Sequence, residues 1–542
     1  MKQSQVNRRG LMAAGLLGGG WAAATTGFAQ SPPSSGVQFE PAIIDALVAR
    51  FMAAFEIPGM AVGILGAGPT PYLKGYGVRT LGKPDPVDVH TRFAIASNSK
   101  AFSAAALALL VDEHKLAWDD PVVRYLPTFR MRDPAVTRMM TIRDLLVHRS
   151  GLSLGAGDLL YFPDTTHSAA DALKALPYLK STQPFRGGYA YDNILYTVAG
   201  LVVERVSGMS WRRFVQSRLL APIGMDDATP ALALLRTDNV AGRHGRRSAT
   251  AAGVGPMTVV EAIGEQQAME PAGGLQASIT DIMLWLRTQI AQGLAPNGRQ
   301  IWSQAQAEQM WTPQTITLSA EGQSPAHPTG PVLQAYALGW FVQDYRGQRM
   351  IWHSGGLVGQ VTQTAILPER GLAVAVFSNV EDGSSVSLRN AILDELLGAP
   401  KVDWLERRQK AFAQSAEMVA AAGLDKPPPG APSLPLTGYV GRYRDPWYGD
   451  IVVGLEGSTL TIAFQPTPSF KSRLEPWGKD SFRTRFPATV GEDALVTFVV
   501  ERGTVKRIAM KALSPLADFS YDFQDLDFRP VRPQPGRRQR PR

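Results

Sequence analysis

Ser97-Asn98-Ser99-Lys100 sets a hydroxyl and an amine three residues apart at the start of an alanine-rich run reaching Glu113. That composition predicts a helix, and positions three apart on a helix share a face, so the hydroxyl of Ser97 can meet the amine of Lys100. Burial lowers the pKa of a lysine, and a neutral amine can take the serine proton. At a helix start the unpaired backbone N–H groups also favour the negative charge that develops on an acyl oxygen. The tetrapeptide alone recurs by chance in long chains, and two further motifs give it meaning. Tyr191-Asp192-Asn193 offers a phenol that can pass protons between nucleophile and leaving group, and an amide that can hold a substrate carbonyl. His353-Ser354-Gly355-Gly356 ends one strand-like run just before another, where glycines let a substrate backbone approach a strand edge and leave an N–H for an oxyanion.

In this order and spacing the three motifs resemble those of the serine β-lactamase and penicillin-binding-protein superfamily, in its class C-like branch of esterases, D-aminopeptidases and carboxypeptidases. The resemblance spans residues 40–400 and includes Phe93-Ala94-Ile95-Ala96, the run Thr141 to Leu152, Pro222-Ile223-Gly224-Met225 and Ala272-Gly273-Gly274-Leu275. It implies Ser97 as the acylated nucleophile, Lys100 as its base partner and Tyr191 as the catalytic phenol. By the same resemblance Asn193 contacts the substrate amide, and the N–H groups of Ser97 and Gly356 form the oxyanion hole. True β-lactamases usually begin the third motif with lysine, which helps bind the substrate carboxylate. Here His353 stands in its place, mostly uncharged at neutral pH unless perturbed. The expected substrate is therefore an ester, an amide or a D-amino-acid peptide, small or peptidic, cell-wall-derived ones included, rather than a β-lactam turned over efficiently. The alternative is a sensor or cell-wall-binding protein that is acylated once and releases the acyl group slowly. Neither reading calls for a metal or an organic cofactor.

The elements that must position these residues are legible in outline. A helix is expected over 41–56, strands at Ala61–Leu65 and Tyr72–Tyr76, and a mainly helical block over 120–330 with irregular stretches near 153–188 and 228–270. Strand-like runs return at Ala337–Asp344, Met350–His353, Thr362–Leu367 and Leu372–Phe377. The expected fold is α/β: one antiparallel sheet built from both ends of residues 38–400, flanked by helices, with a helical lobe inserted. A helix and a Pro-rich linker fill 401–435, and hairpin-spaced strands over 436–528 predict a small all-β barrel, a domain often appended in this branch. His148 reads as a buried hydrogen-bonding group, and Tyr161 and Phe162 as core aromatics. His90, His114, His167, His244 and His327 show no metal-ligand spacing.

Composition narrows the remaining classes. The 542 residues are 45% hydrophobic and 19% charged, which excludes a disordered chain, and contain no cysteine, which excludes disulfides and a thiol nucleophile. The net charge of +8 is concentrated at the ends: residues 1–29 carry +3 and the Pro/Arg tail 529–542, expected to be disordered, carries +6. The body between them is close to neutral, so nucleic acid is not an expected partner. Arg8-Arg9 stands before an apolar stretch from Leu11 to about Ala24, and Gly27-Phe28-Ala29 supplies small residues for cleavage after Ala29. This reads as an export signal of twin-arginine type, with a soluble periplasmic or secreted product and no membrane span. The sequence does not specify an oligomeric state.

Overall fold

The structure, a computed structural model, describes residues 39–66, 70–248, 251–260, 267–317, 330–487 and 491–531. The expected export signal, and the tail beyond Val531, lie outside the described residues. Helix α1 (Pro41–Phe55) leads into strands β1 (Gly59–Leu65) and β2 (Tyr72–Gly77). The chain then leaves the sheet for a lobe that contains α2 (Ser99–Asp112) and α3 (Ile194–Ser207), and returns through α4 (Ile279–Ile290). Six strands follow: β3 (Thr315–Ile316), β4 (Gln334–Tyr336), β5 (Phe341–Tyr345), β6 (Gln348–Leu357), β7 (Gln360–Leu367) and β8 (Leu372–Ser378). They complete an antiparallel sheet in the order β2-β1-β8-β7-β6-β5-β4-β3, so strands from both ends of the segment meet at β1 and β8.

Both faces of this sheet are covered, which is why its central strands are apolar throughout rather than alternating. Along β1 and β8, Met60, Val62, Ile64, Val374 and Val376 pack on one face with α1 and with α5 (Ser384–Leu397). Ala61, Ala373, Ala375 and Phe377 face the lobe. Helix α2 is buried almost end to end, and its run of alanines allows close approach by α3 and by the Ala272–Leu275 segment. Phe102 of α2 stacks on Trp285 of α4 with ring centroids 3.8 Å apart, fixing the helix that carries Lys100.

Several local expectations are corrected. Residues 337–344 are not one strand: a turn at Ala337–Trp340 divides β4 from β5, with Gly339 at φ 78°. A Cβ at Gly339 would stand 2.7 Å from the Lys100 carbonyl, so the turn is required by the approach of α2. The stretch 153–188 holds a short helix, Ala169–Ala175, started by a Ser168/Asp171 capping box. The stretch 228–270 holds a hairpin, His244–Arg247 with Ala252–Val259.

After α6 (Trp404–Ala421) the chain closes an eight-stranded antiparallel barrel. Its strands alternate inward apolar and outward polar residues, as in Leu460, Ile462 and Phe464. The last strand, Asp527–Pro530, runs two residues beyond the expected end at 528 and takes Arg529 and Pro530 out of the expected tail, because they pair with Arg444 and Tyr443. Between the last two strands, residues 513–526 leave the barrel wall and reach the lobe: Ser153 donates to Asp525 at 2.9 Å, and Lys180 donates to the Gln524 carbonyl at 2.8 Å. Among the described residues no helix is long and apolar enough to cross a membrane.

The Phe102–Trp285 stack makes a direct prediction. Trp285→Ala, removing a side chain only 1% exposed, should destabilise the protein by about 3–5 kcal/mol, read as a lowered urea midpoint with an unchanged slope.

Candidate active site

Ser97 lies on the 3₁₀ turn Ala96–Asn98 that opens α2 rather than inside the helix. Ala96, directly before it, is held at φ 46°, a left-handed conformation unfavourable to a side chain. Neighbouring bonds keep it there. Asn98 donates to the Ile95 carbonyl at 3.2 Å and to Thr362 at 2.9 Å, while its own oxygen accepts from Thr364 at 2.7 Å. The turn is thus pinned to β7, with the Ser97 N–H in the first helical turn, where no carbonyl four residues back is available to it.

The ammonium of Lys100 has three acceptors for its three protons: Ser97 Oγ at 3.0 Å, Asn193 Oδ1 at 2.7 Å and the Ala272 carbonyl at 3.0 Å. Lys100 is fully buried, and that burial pulls its pKa down to about 7, although the Asp158 and Asp192 carboxyls act to raise it. Near neutrality a large fraction of the side chain is therefore the neutral amine that can accept the Ser97 proton. Tyr191 lines the same cavity as Ser97, and the Lys100 amine lies 4.7 Å from the Tyr191 ring centroid. Burial drives the phenol well above its ordinary pKa, so Tyr191 stays protonated, a group able to donate a proton.

The third motif forms the opposite wall. Leu357 and Gln360 close the β6–β7 hairpin around a two-residue turn, and the alternation of an antiparallel ladder then directs the Gly356 N–H away from β7. Strand β5 pairs with β6 only as far as Trp352, so that N–H faces the cavity beside Ser97. Ser354 also lines the cavity. Gly355 does not: a Cβ there would stand 2.0 Å from the Ile95 carbonyl, so its glycine serves the packing of β6 on the nucleophile turn rather than substrate contact.

Two other expectations change. Asn193 borders the cavity, but its amide is already engaged. Its nitrogen donates to the Asp158 carboxyl at 3.1 and 3.0 Å, which turns its oxygen toward Lys100. Its polar atoms are spent on orienting the lysine, not held out to a substrate amide. His353 is 1% exposed, with Nδ1 against the Ser354 carbonyl at 2.6 Å and Nε2 accepting from the Tyr336 hydroxyl at 2.9 Å. Burial first, and then the nearby Lys100 charge, lower its pKa to about 3. It is a neutral wall residue with no free nitrogen for proton transfer or for a carboxylate. His148 is likewise buried and neutral, accepting from the Asp192 N–H at 3.2 Å with its ring centroid 4.2 Å from that of Tyr191.

The cavity before Ser97 measures about 510 Å³, and one side of it belongs to the barrel: Asp518, Phe519 and Ser520 line it, the Phe519 ring meeting Tyr191 edge-on at 5.8 Å. Phe162 lines it as well, whereas Tyr161 is core, its hydroxyl 2.9 Å from that of Thr197. A little deeper, Asp522 accepts from the Gly157 and Leu159 N–H groups at 2.8 and 3.1 Å. Burial, with the two carboxyls facing each other, raises Asp158 well above the carboxylate range, and burial raises Asp522 to about 8. A chain of contacts thus runs from the barrel through Asp158 and Asn193 to Lys100. Asp158, Tyr336, Phe519 and Asp522 were not anticipated. Asp158 lies in the stretch read as irregular, and no local pattern links residues 158 and 522.

A serine beside a buried lysine and a protonated phenol, on this sheet-and-lobe fold, defines a serine hydrolase of the β-lactamase-related type. The chain belongs to the Beta-lactamase family, whose model matches residues 44–398; a second model, a domain of unknown function (DUF3471), matches residues 425–530. Unguisins hydrolase ungD' of Aspergillus campestris is 28% identical over 429 residues, covering 75% of this chain and 76% of that protein. The octameric penicillin-binding protein homologue from Pyrococcus abyssi shares the fold over 88% of this chain and 98% of its own, with a TM-score of 0.57 and 19% identity. The D-stereospecific amidohydrolase from Streptomyces sp. shares it over 66% of this chain and 99% of its own, with a TM-score of 0.52 and 21% identity.

Two outcomes follow from this geometry. Because Lys100 must be neutral to act as base, kcat/KM for an uncharged ester should rise with pH and level off through a midpoint near 7, as a pH–rate profile will show. Asp522→Ala strips the acceptor from two buried N–H groups, each worth about 1–3 kcal/mol when left unpaired. It should lower Tm and reduce kcat more than it raises KM, since the misplaced group is Lys100 rather than a substrate contact.

Proposed function

We propose that this protein is an exported serine hydrolase that cleaves an ester or amide bond, including bonds of D-amino-acid peptides, through an acyl-enzyme on Ser97. The observation that carries the reading is the 3.0 Å contact between Lys100 Nζ and Ser97 Oγ, with the Tyr191 ring 4.7 Å from the same amine. Neutral Lys100 takes the hydroxyl proton as Ser97 Oγ attacks the carbonyl carbon. The tetrahedral oxyanion is met by the N–H groups of Ser97 and Gly356. The Lys100 ammonium and the Tyr191 phenol return a proton to the leaving oxygen or nitrogen, whose bond to carbon breaks. Water then attacks the acyl carbon and gives up its proton through the same groups, which frees Ser97.

The substrate class is supported from two directions. The described residues lining the cavity include no Arg or Lys, and His353 is neutral with both ring nitrogens engaged, so nothing there matches a carboxylate of the β-lactam kind. The name of one structural neighbour, a D-stereospecific amidohydrolase, points to an amide bond, and that of a relative, an unguisins hydrolase, to hydrolysis. Export rests on Arg8-Arg9, the apolar stretch from Leu11 and the Gly27-Phe28-Ala29 site.

Intact mass of the protein from Gln30 onward, acid-quenched during incubation with a short-chain activated ester, tests the mechanism. An acyl adduct should form with Ser97 present and not in Ser97→Ala, and should decay as the ester is consumed. Ser97→Ala and Lys100→Ala should each lower turnover by about three or more orders of magnitude. An adduct that persists after the ester is gone would replace the hydrolase with a slowly deacylating sensor, and an adduct on Ser97→Ala would remove Ser97 from the mechanism.

A further inference from the structure

On the other side of Gly356 from Ser97 lies a second chamber of about 340 Å³. The two share Phe162, Gly356, Leu357, Asp518 and Ser520 as walls, so the chamber adjoins the site where a substrate on Ser97 would sit. Leu357, Val361 and Leu516 give the chamber apolar sides suited to a short methylene chain. Its polar lining is acidic: Glu381, Asp382, Glu492 and Asp518, against the single cation Arg247 among the described lining residues. That cation is already committed, since Arg247 pairs with Glu381, whose other oxygen accepts from the Gly359 N–H at 2.8 Å. Asp382 accepts from the Ser384 N–H at 2.8 Å, and Asp518 from the Ser520 N–H at 2.9 Å, and among the described residues neither carboxylate forms an ion pair.

Two further groups point inward without a partner. Glu492, from the barrel, is 7% exposed, and Tyr521 is 9% exposed. Both line the chamber, and among the described residues neither carboxylate nor phenol is held by a hydrogen bond or an ion pair. A buried carboxylate without donors is costly, and a ligand that brings donors and a positive charge removes that cost. Burial pushes Glu492 up to about 7, with Arg247 opposing the rise, as expected of a carboxyl awaiting a countercharge.

We propose that this chamber is a substrate subsite for a cationic amine: the part of the substrate beyond Gly356 carries an ammonium or guanidinium group on a short apolar chain, received by Glu492 and Asp518. The proposal rests on the reading of Ser97 as nucleophile, and names the charge of the substrate that reading leaves open. It also gives the barrel a function, because Glu492, Asp518 and Tyr521 all come from it.

Matched substrate pairs test it. 4-Nitrophenyl 6-aminohexanoate against 4-nitrophenyl hexanoate places the charge on the acyl side, and 5-aminopentyl acetate against pentyl acetate places it on the leaving side. On one side the cationic member should be favoured in kcat/KM by about tenfold or more, the scale of one charge-assisted hydrogen bond. Glu492→Gln, shown folded by circular dichroism, should bring that ratio close to one. Should the variant fail to fold, the unaltered protein still decides: hexylammonium should inhibit hydrolysis of the neutral ester about tenfold more strongly than hexanol. Ratios at or below one on both sides, with hexylammonium no better than hexanol, would overturn the subsite while the hydrolase stands. If no ester is turned over and no adduct forms on Ser97, the mechanism fails separately. Calorimetric titration with hexylammonium and hexanol then judges the chamber alone, equal affinity overturning it.

Discussion

The buried amine of Lys100 is the constraint around which this molecule is arranged. A lysine with no exposure is tolerated only where its protons are all received, and here three different parts of the chain receive them: the nucleophile turn, the Tyr191-Asp192-Asn193 segment and the Ala272 carbonyl. Each acceptor is itself held. Asn98 and two threonines of β7 fix the turn, Asp158 fixes Asn193, and the Pro271–Leu275 segment is tied to α2 through Ser99 and Ser103. The desolvation that makes the lysine costly to bury is also what lowers its pKa toward neutrality and makes it a base. Stability and chemistry thus draw on one arrangement, and the alanines of α2 are the means of packing three elements close enough to build it.

The barrel belongs to that arrangement. Asp522 caps two backbone N–H groups on either side of Asp158, so the carboxyl that aligns Asn193 is seated between lobe and barrel. Two acids that face each other in a dry setting both resist ionisation, which keeps the countercharge around Lys100 small and lets burial prevail over attraction in setting its pKa. Were both carboxylates fully charged, Lys100 would be held protonated and would be a poorer base.

How much of this is legible in the sequence depends on how far a residue's meaning is local. Ser97 and Lys100 are three apart on a helix, so their meeting follows from helical geometry, and the structure places them 3.0 Å apart. The two-faced sheet is legible because β1 and β8 are apolar on successive residues, and the barrel because its strands alternate. Asp158 and Asp522 were invisible for the opposite reason: each is an ordinary acid in a loop, and their apposition is created by tertiary packing alone. Gly355 misled in another way. A glycine beside a motif can mean space for a substrate or space for the protein's own backbone, and here the Ile95 carbonyl fills it. The Ala337–Trp340 turn was missed because its apolar residues read as strand, whereas the left-handed Gly339 and the nearby Lys100 carbonyl impose a bend.

The histidine at position 353 connects these points to selectivity. A lysine there would put a second cation on the wall opposite Lys100, suppress protonation of Lys100 by repulsion and attract a carboxylate. His353 instead gives both ring nitrogens to the protein and carries no charge, with Tyr336 locking its orientation. The fixed charge that remains on the cavity wall is Asp518, supplied by the barrel at the entrance to the acidic chamber. Replacing the cation by a neutral ring and adding carboxylates from the appended domain act in the same direction: both turn the field in front of Ser97 from one that draws anions toward one that draws cations. In the proposed reading the lobe and sheet hold the reacting groups, and the barrel, through residues 492 and 518–522, adds walls to both cavities.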